Sequence, residues 1–202
     1  MHADTIESRD TLEAWRNDPA NKKLSKAGDD RTPPWTWKLY LYHDLEKVCM
    51  PFENLQRCMS IGATKVKVGK GQKTWKEDSI GEVLFVQEHL EFSNGGKTIL
   101  MEDVNEIAEE KQFSKQAELV HKLGFSLYPK FVTVNKNKHL RVRPRFDSWK
   151  VKATIAVGEP LISAEVLKQW FYYAGKAGIG DGRPSSGRPY PFGTFDTSIV
   201  EV

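Results

Sequence analysis

Residues 163–175 place the tightest limit on the fold. Val166, Leu167, Trp170, Phe171 and Ala174 recur at i, i+1, i+4, i+5 and i+8, the apolar stripe of a helix laid on a sheet. Ser163 is placed to cap the first turn, and Gly175 or Gly178 can take the left-handed conformation that ends such a helix. The loop that follows carries Gly178, Gly180, Gly182, Gly187 and Gly193, with Arg183 and Arg188 between them. Glycines alone would only let a long helix-to-strand connection turn. In the company of two arginines, Ser185, Ser186 and Tyr190, their backbone N–H groups and the guanidinium forks suit phosphate oxygens. No Gly-Lys-Ser/Thr follows, and the loop leads toward a strand instead of opening a helix. It is therefore neither a Walker A loop nor a dinucleotide fingerprint, and no cofactor is expected.

The formal net charge of +3 conceals a segregation. Residues 77–110 hold ten acidic side chains and one Lys (net −9), whereas residues 111–152 hold eleven Lys or Arg against Glu118 and Asp147 (net +9). A short ribbon ahead of both contains Lys65, Lys67, Lys70, Lys73 and Lys76 and no acid. Charge blocks usually mark solvated faces. Two separate basic blocks and an Arg-bearing glycine loop point instead to a polyanion. An acidic block can also dock on the basic block of a neighbouring copy, which favours head-to-tail assembly.

With 202 residues, of which 39% are hydrophobic, the chain can bury one sizeable core. No apolar run reaches the roughly 20 residues that span a bilayer, and the N-terminus lacks a signal-peptide core. A cytoplasmic protein without membrane contact is expected. Cys49 and Cys58 are expected as reduced core thiols, and no Cys/His cluster has metal-site spacing.

Taken in order, residues 1–34 form an arm with a short helix around Thr11 to Arg16, anchored by Trp15. Residues 35–42 alternate large apolar and aromatic side chains and predict the first strand. A turn at His43-Asp44 and a brief return over residues 47–49 follow. Pro51 opens a helix over 51–63 whose stripe is Leu55, Cys58, Met59 and Gly62. Residues 82–86 and 98–101 predict short strands, and 102–123 a helix stopped by Gly124. Residues 130–134 and 139–143 flank a tight turn at 135–138. Residues 148–157 alternate Trp149, Val151, Ala153, Ile155 and Val157 against Lys150 and Lys152, a half-buried antiparallel strand. The outer pieces give strand 35–42, helix 51–63, strand 138–146, strand 149–157, helix 163–175 and strand 192–201. The expected architecture is thus α+β, a single ferredoxin-like βαββαβ domain over 35–202 with residues 64–137 inserted after the first helix. Such a sheet has two helices on one face and leaves the other open to a single strand.

In this order of elements, in the insertion after the first helix, and in the loop Gly178-Ile-Gly-Asp-Gly-Arg-Pro-Ser-Ser-Gly-Arg-Pro-Tyr-Pro-Phe-Gly193 before the last strand, the chain resembles the RAMP superfamily. These are the ferredoxin-like RNA-binding subunits of CRISPR effector complexes, and the likeness is to the repeating backbone type or to a phage or mobile-element relative. The resemblance covers roughly residues 36–202. It implies sequence-independent binding of single-stranded RNA, more than DNA, by a homo-oligomer or a subunit of a larger ribonucleoprotein.

The residues expected to carry that binding are Lys65, Lys67, Lys70, Lys73 and Lys76 of the ribbon, Arg141, Arg143 and Arg145 of an edge strand, and Arg183 and Arg188 of the loop. Gly178, Gly180, Gly182 and Gly187 would bring the loop backbone to phosphate. The loop and the charged strands are expected to face the same side as one cationic track. Trp75, in a ribbon almost without large apolar neighbours, is expected to be exposed and to stack on a base, with Tyr190 as a second candidate. Trp149 and Trp170 lie on apolar stripes and are expected in the core. Two alternatives come from other classes. Some RAMP proteins cleave RNA without metal near this loop through a histidine, for which His43 beside Asp44 and Lys47 is the candidate; His2, His89, His121 and His139 have no clustered partner. A structural or decoy protein would instead assemble through the acidic and basic blocks.

Overall fold

The computed structural model describes residues 6–24, 28–187 and 192–201. In chain order the elements are α1 (Ile6–Asn17), a 3-10 helix (Thr36–Tyr40), β1 (Cys49–Pro51), α2 (Phe52–Ala63), α3 (Asp78–Gly81), β2 (Val83–Phe85) and β3 (His89–Asn94). They continue with α4 (Met101–Ala108), α5 (Phe113–Lys122), β4 (Ser126–Val134), β5 (Asn137–Arg145), β6 (Trp149–Lys152), β7 (Ile155–Val157), α6 (Ala164–Ala177) and a 3-10 turn (Pro184–Ser186). The chain divides into two compact units, Met1–Met50 with Glu91–Lys152 and Pro51–Leu90 with Ala153–Val202. None of the described helices is long and apolar enough to cross a membrane.

The first unit is built on a chain of rings. Trp37 lies 5.9 Å from Phe125, Phe125 5.2 Å from Phe146, and Phe146 5.0 Å from Phe92. Leu41, Val48, Ile99, Val104, Val120 and Val142 close around them. β3 pairs antiparallel with β6, Phe92 opposite Val151 and Asn94 opposite Trp149, and β1 flanks β3 on its other side. Burying Trp37 requires a partner for its indole N–H. The N–H donates to Gln116 Oε1 at 2.5 Å, and Gln116 Nε2 in turn donates to the carbonyls of Ala108 and Glu110 at 3.3 and 2.6 Å. That side chain ties α5 to the turn that ends α4. The stretch 102–123, expected as one helix, is therefore two.

The second unit rests on the pair α2 and α6. A Cβ on Gly62 would lie 2.0 Å from the carbonyl oxygen of Trp170 and 2.9 Å from the nitrogen of Ala174, so only glycine permits this approach. Cys58 Sγ donates to the carbonyls of Ala174 and Gly178 at 3.2 and 3.4 Å. Residues 58 and 62 thus meet α6 in descending order, and the helices run antiparallel. Met59, Ala63, Val83, Leu167 and Phe171 fill the layer beneath, with Trp75 on Trp170 at 5.8 Å. α6 starts and stops where the sequence indicates: Ser163 Oγ accepts from the Val166 N–H, and Gly178 at φ 74° sends its N–H back to the Ala174 carbonyl. Both cysteines are buried and unbridged. Burial pushes each thiol up to about 11.

The α+β class stands, and several expected elements do not. Residues 36–40, expected within a strand, are a 3-10 helix held by i→i+3 bonds from Lys38 N–H to Trp35 O and from Leu41 N–H to Lys38 O. The expected strand 149–157 splits into β6 and β7, which fall in different units. The expected strand at 98–101 gives way to the start of α4, and the expected strand 192–201 has no ladder partner among the described residues. The described strands make sheets of three, two and two, not the four-stranded sheet of the βαββαβ order.

Because Gly62 sits against backbone, Gly62→Ala should cost about 3 kcal/mol, the upper end of the overpacking range. A urea titration followed by tryptophan fluorescence reads it as a lower midpoint.

Candidate nucleic-acid interface

β4 and β5 form a hairpin of nine residues per strand, from Ser126 opposite Arg145 to Val134 opposite Asn137. Asn135 and Lys136 turn it with φ of 49° and 67°, the paired left-handed conformation that suits the twist of two-residue hairpins. Residues 126–145 carry Lys130, Lys136, Lys138, Arg141, Arg143 and Arg145 and no acid. The register places Tyr128, Lys130, Val132 and Val134 on one face with Arg143, Arg141, His139 and Asn137 opposite them. On the other face Leu140 and Val142 reach the core, while Phe131, opposite Leu140, is 67% exposed.

The segment before the 3-10 helix closes the free edge of β5. Asp29 bridges Leu140, and the Asp30 N–H donates to the Leu140 carbonyl at 3.0 Å. The Asp30 carboxylate is nearly buried and accepts from Arg141 Nη1 at 2.8 Å, Tyr40 Oη at 2.7 Å and the Val142 N–H at 3.3 Å. Three donors and one opposite charge make burial of this carboxylate tolerable. Burial, and then the hydrogen bond to Asp30, push the Tyr40 hydroxyl up to about 12, with Arg141 and Arg143 pulling the other way. The Arg143 guanidinium lies over the Tyr40 ring at 5.4 Å and that of Arg145 over the Tyr128 ring at 5.8 Å.

Three expected phosphate ligands are thus engaged within the chain. Arg141 is neutralised by Asp30, Arg145 meets Asp147 at 2.7 Å, and Lys73 lies 3.6 Å from Asp78. Arg143 and Arg145 remain at the surface of the hairpin, Arg145 exposed and Arg143 half-buried.

In the second unit the lysine ribbon folds back on itself. Lys67 bridges Thr74, Val68 N–H donates to Lys73 O at 2.8 Å, and Trp75 N–H donates to Val66 O at 3.3 Å. Lys65, Lys67, Lys70 and Lys76 are exposed on this loop. Trp75 is not the exposed stacking ring the ribbon led us to expect: it is 6% exposed and packs on Trp170, because the fold-back puts Val66 and Trp75 together on the apolar side. Trp170 is in the core of the second unit as expected, and Trp149 packs half-buried against the core of the first.

The glycine loop takes positive φ at Gly178, Gly180, Gly182 and Gly187. Arg183 is turned onto its own loop, donating to the Gly180 carbonyl at 2.8 Å and to Ser185 Oγ at 3.2 Å. Arg188 and Tyr190 lie outside the described residues. The loop leaves the C-terminal end of α6, whereas the ribbon leaves the end of α2 that packs beside Trp170. Arg141, Arg143 and Arg145 belong to the other unit. The single sheet on which one continuous cationic track was to lie is not formed by the described strands.

His43 is half-buried in the turn before β1. It bridges Val48 through the backbone, and its Nδ1 accepts from the Leu45 N–H at 3.2 Å. The Asp44 carboxylate accepts from the N–H groups of Glu46 and Lys47, so both side chains build the turn. Sequence reasoning missed Tyr128, Lys130, Phe131, Lys136 and Lys138; the signal available was an acid-free run of twenty residues centred on a tight turn.

Neither a protein-family model, nor a curated protein, nor a solved structure matches the chain.

The Tyr40–Asp30 bond ties stability to alkaline pH. Tyr40 binds its proton more tightly folded than unfolded, so its contribution is complete below pH 10 and is lost as pH rises through about 12. Denaturant titrations from pH 9 to 12 should show a steeper loss of stability for the wild type than for Tyr40→Phe.

Proposed function

We propose that the protein binds single-stranded nucleic acid without sequence preference, and that the hairpin β4–β5 is the contact surface. The observation that carries this reading is an acid-free hairpin with six cations and an exposed ring, Phe131. Lys130, Lys136, Lys138 and Arg143 supply charge along about 30 Å of strand, while Arg145 is shared with Asp147. Phe131, on a two-stranded element too thin to bury it, supplies a stacking face any base can use. Arg141 has a different role, because Asp30 already satisfies it; it holds the hairpin. The lysine ribbon of the second unit is a second, separate cationic surface with Lys65, Lys67, Lys70 and Lys76. The resemblance to RAMP proteins favours RNA over DNA and a repeating nucleoprotein subunit; the platform proposed is the hairpin in place of the open face of a ferredoxin-like sheet.

Fluorescence anisotropy with an unstructured labelled oligonucleotide tests the reading. For about four neutralised phosphates, log K should fall against log salt with a slope of about −2.8. Lys136→Glu with Lys138→Glu should flatten the slope by about 1.4 and weaken binding to RNA of any sequence. Phe131→Ala should cost about 1–3 kcal/mol, roughly 5- to 150-fold in Kd, with an unchanged melting profile. Affinity that does not respond to salt removes the proposal.

A further inference from the structure

Residues 196–201 and the outer edge of β4 from Phe131 to Val134 share one property: among the described residues neither has a strand beside it. Residues 194–201 form neither helix nor ladder. Phe195 and Ile199 pack against the core of the second unit, and the Phe195 N–H bonds to the Gly175 carbonyl at 3.3 Å. Beyond that bond no backbone group of residues 196–201 hydrogen-bonds to a described residue. The sequence Asp-Thr-Ser-Ile-Val-Glu over 196–201 is rich in the β-branched residues that pleated ladders favour, and Val200 is 80% exposed. A β-rich stretch whose backbone bonds to none of the described residues is available to a ladder.

β4 offers that ladder. It pairs with β5 alone, whereas the far edge of β5 is closed by Asp29 and Asp30. Long edges are ordinarily blunted by several charges, prolines or bulges. The stretch of β4 from Phe131 to Val134 has none of these, and both of those side chains are exposed. Two β4 edges meeting each other would bring two hairpins of six cations together, which like-charge repulsion opposes. Residues 196–201 carry Asp196 and Glu201 and no cation, so their charge complements the hairpin, and their length is enough to cover Phe131–Val134, the part of β4 beyond Pro129 and Lys130.

We propose that residues 196–201 of one copy add as a third strand to the outer edge of β4 of a second copy. Backbone bonds supply the attraction and the acid-to-base pairing fixes the partner, as in other strand-addition complexes. Because donor and acceptor are different surfaces, the contact is heterologous and each added copy presents a fresh edge. The assembly is an open head-to-tail series.

Mass measurement by light scattering on the full chain, free of nucleic acid, tests this independently of the binding reading above. The wild type should exceed the 23.0 kDa protomer mass at least twofold at high concentration, in a series that grows with concentration. Val200→Pro removes an N–H that bonds to nothing in the single copy, so it should give a monomer with an unchanged melt. Val134→Glu sets an acid against Asp196 and Glu201 and should also give a monomer. Mixed in equal amounts, the two retain one intact donor and one intact acceptor and should form a dimer that grows no further. A wild type that stays at protomer mass, a Val200→Pro or Val134→Glu chain that assembles like the wild type, or a mixture that stays monomeric overturns the proposal.

Discussion

The Asp30 carboxylate is charged in a place almost closed to water, and the first unit is arranged so that the charge is answered. Tyr40, Arg141 and the Val142 N–H all point at it, and they come from two steps of the fold. Tyr40 arrives because residues 36–40 coil into a 3-10 helix; Arg141 and Val142 arrive because β5 pairs with β4. Removing one partner would leave either a buried anion or a half-buried guanidinium without its counter-charge, the situation in which buried pairs become expensive. The same arrangement decides which edge of the hairpin is shut.

It also divides the cations into two kinds. Arg141 is spent on the interior and Arg145 is shared with Asp147, so the count of basic residues in the block overstates the charge presented to a polyanion. Lys136 and Lys138 at the turn have no acid nearby in sequence, and Phe131 stands between them and the core.

Local signals carried the elements whose reasons are local. Ser163 and Gly178 mark the ends of α6, the stripe from Val166 to Ala174 marks its buried face, and the polar turn at 135–136 between β-rich runs marks the hairpin. The misreadings have non-local causes. Residues 35–42 alternate like a strand, but Trp37 and Leu41 both turn to the core, a spacing of four, and Tyr40 is claimed by Asp30. Trp75 looked exposed among lysines, yet its neighbour is Trp170, ninety-five positions away. The break between α4 and α5 depends on Gln116, a polar side chain whose burial only the indole N–H of Trp37 explains. Of the candidate interface, Arg143 and Arg145 were legible from charge alone; the internal pairing of Arg141 was not, because Asp30 lies in what looked like a detached arm.

The interleaving of the two units has a consequence for synthesis. As the chain emerges from the N-terminus, residues 51–90 appear complete with α2, the lysine ribbon and Trp75, but the helix that covers them begins only at Ala164. Until α6 is made, Met59, Ala63 and Trp75 have no apolar partner on that side, and the ribosome must add the rest of the other unit first. The closing contact, Gly62 on Trp170, joins residues more than a hundred positions apart, the kind of long-range pairing that slows folding. A nascent chain of this protein therefore carries a half-core until α6 is made, and cutting the gene at any one point to isolate a unit would yield two incomplete ones.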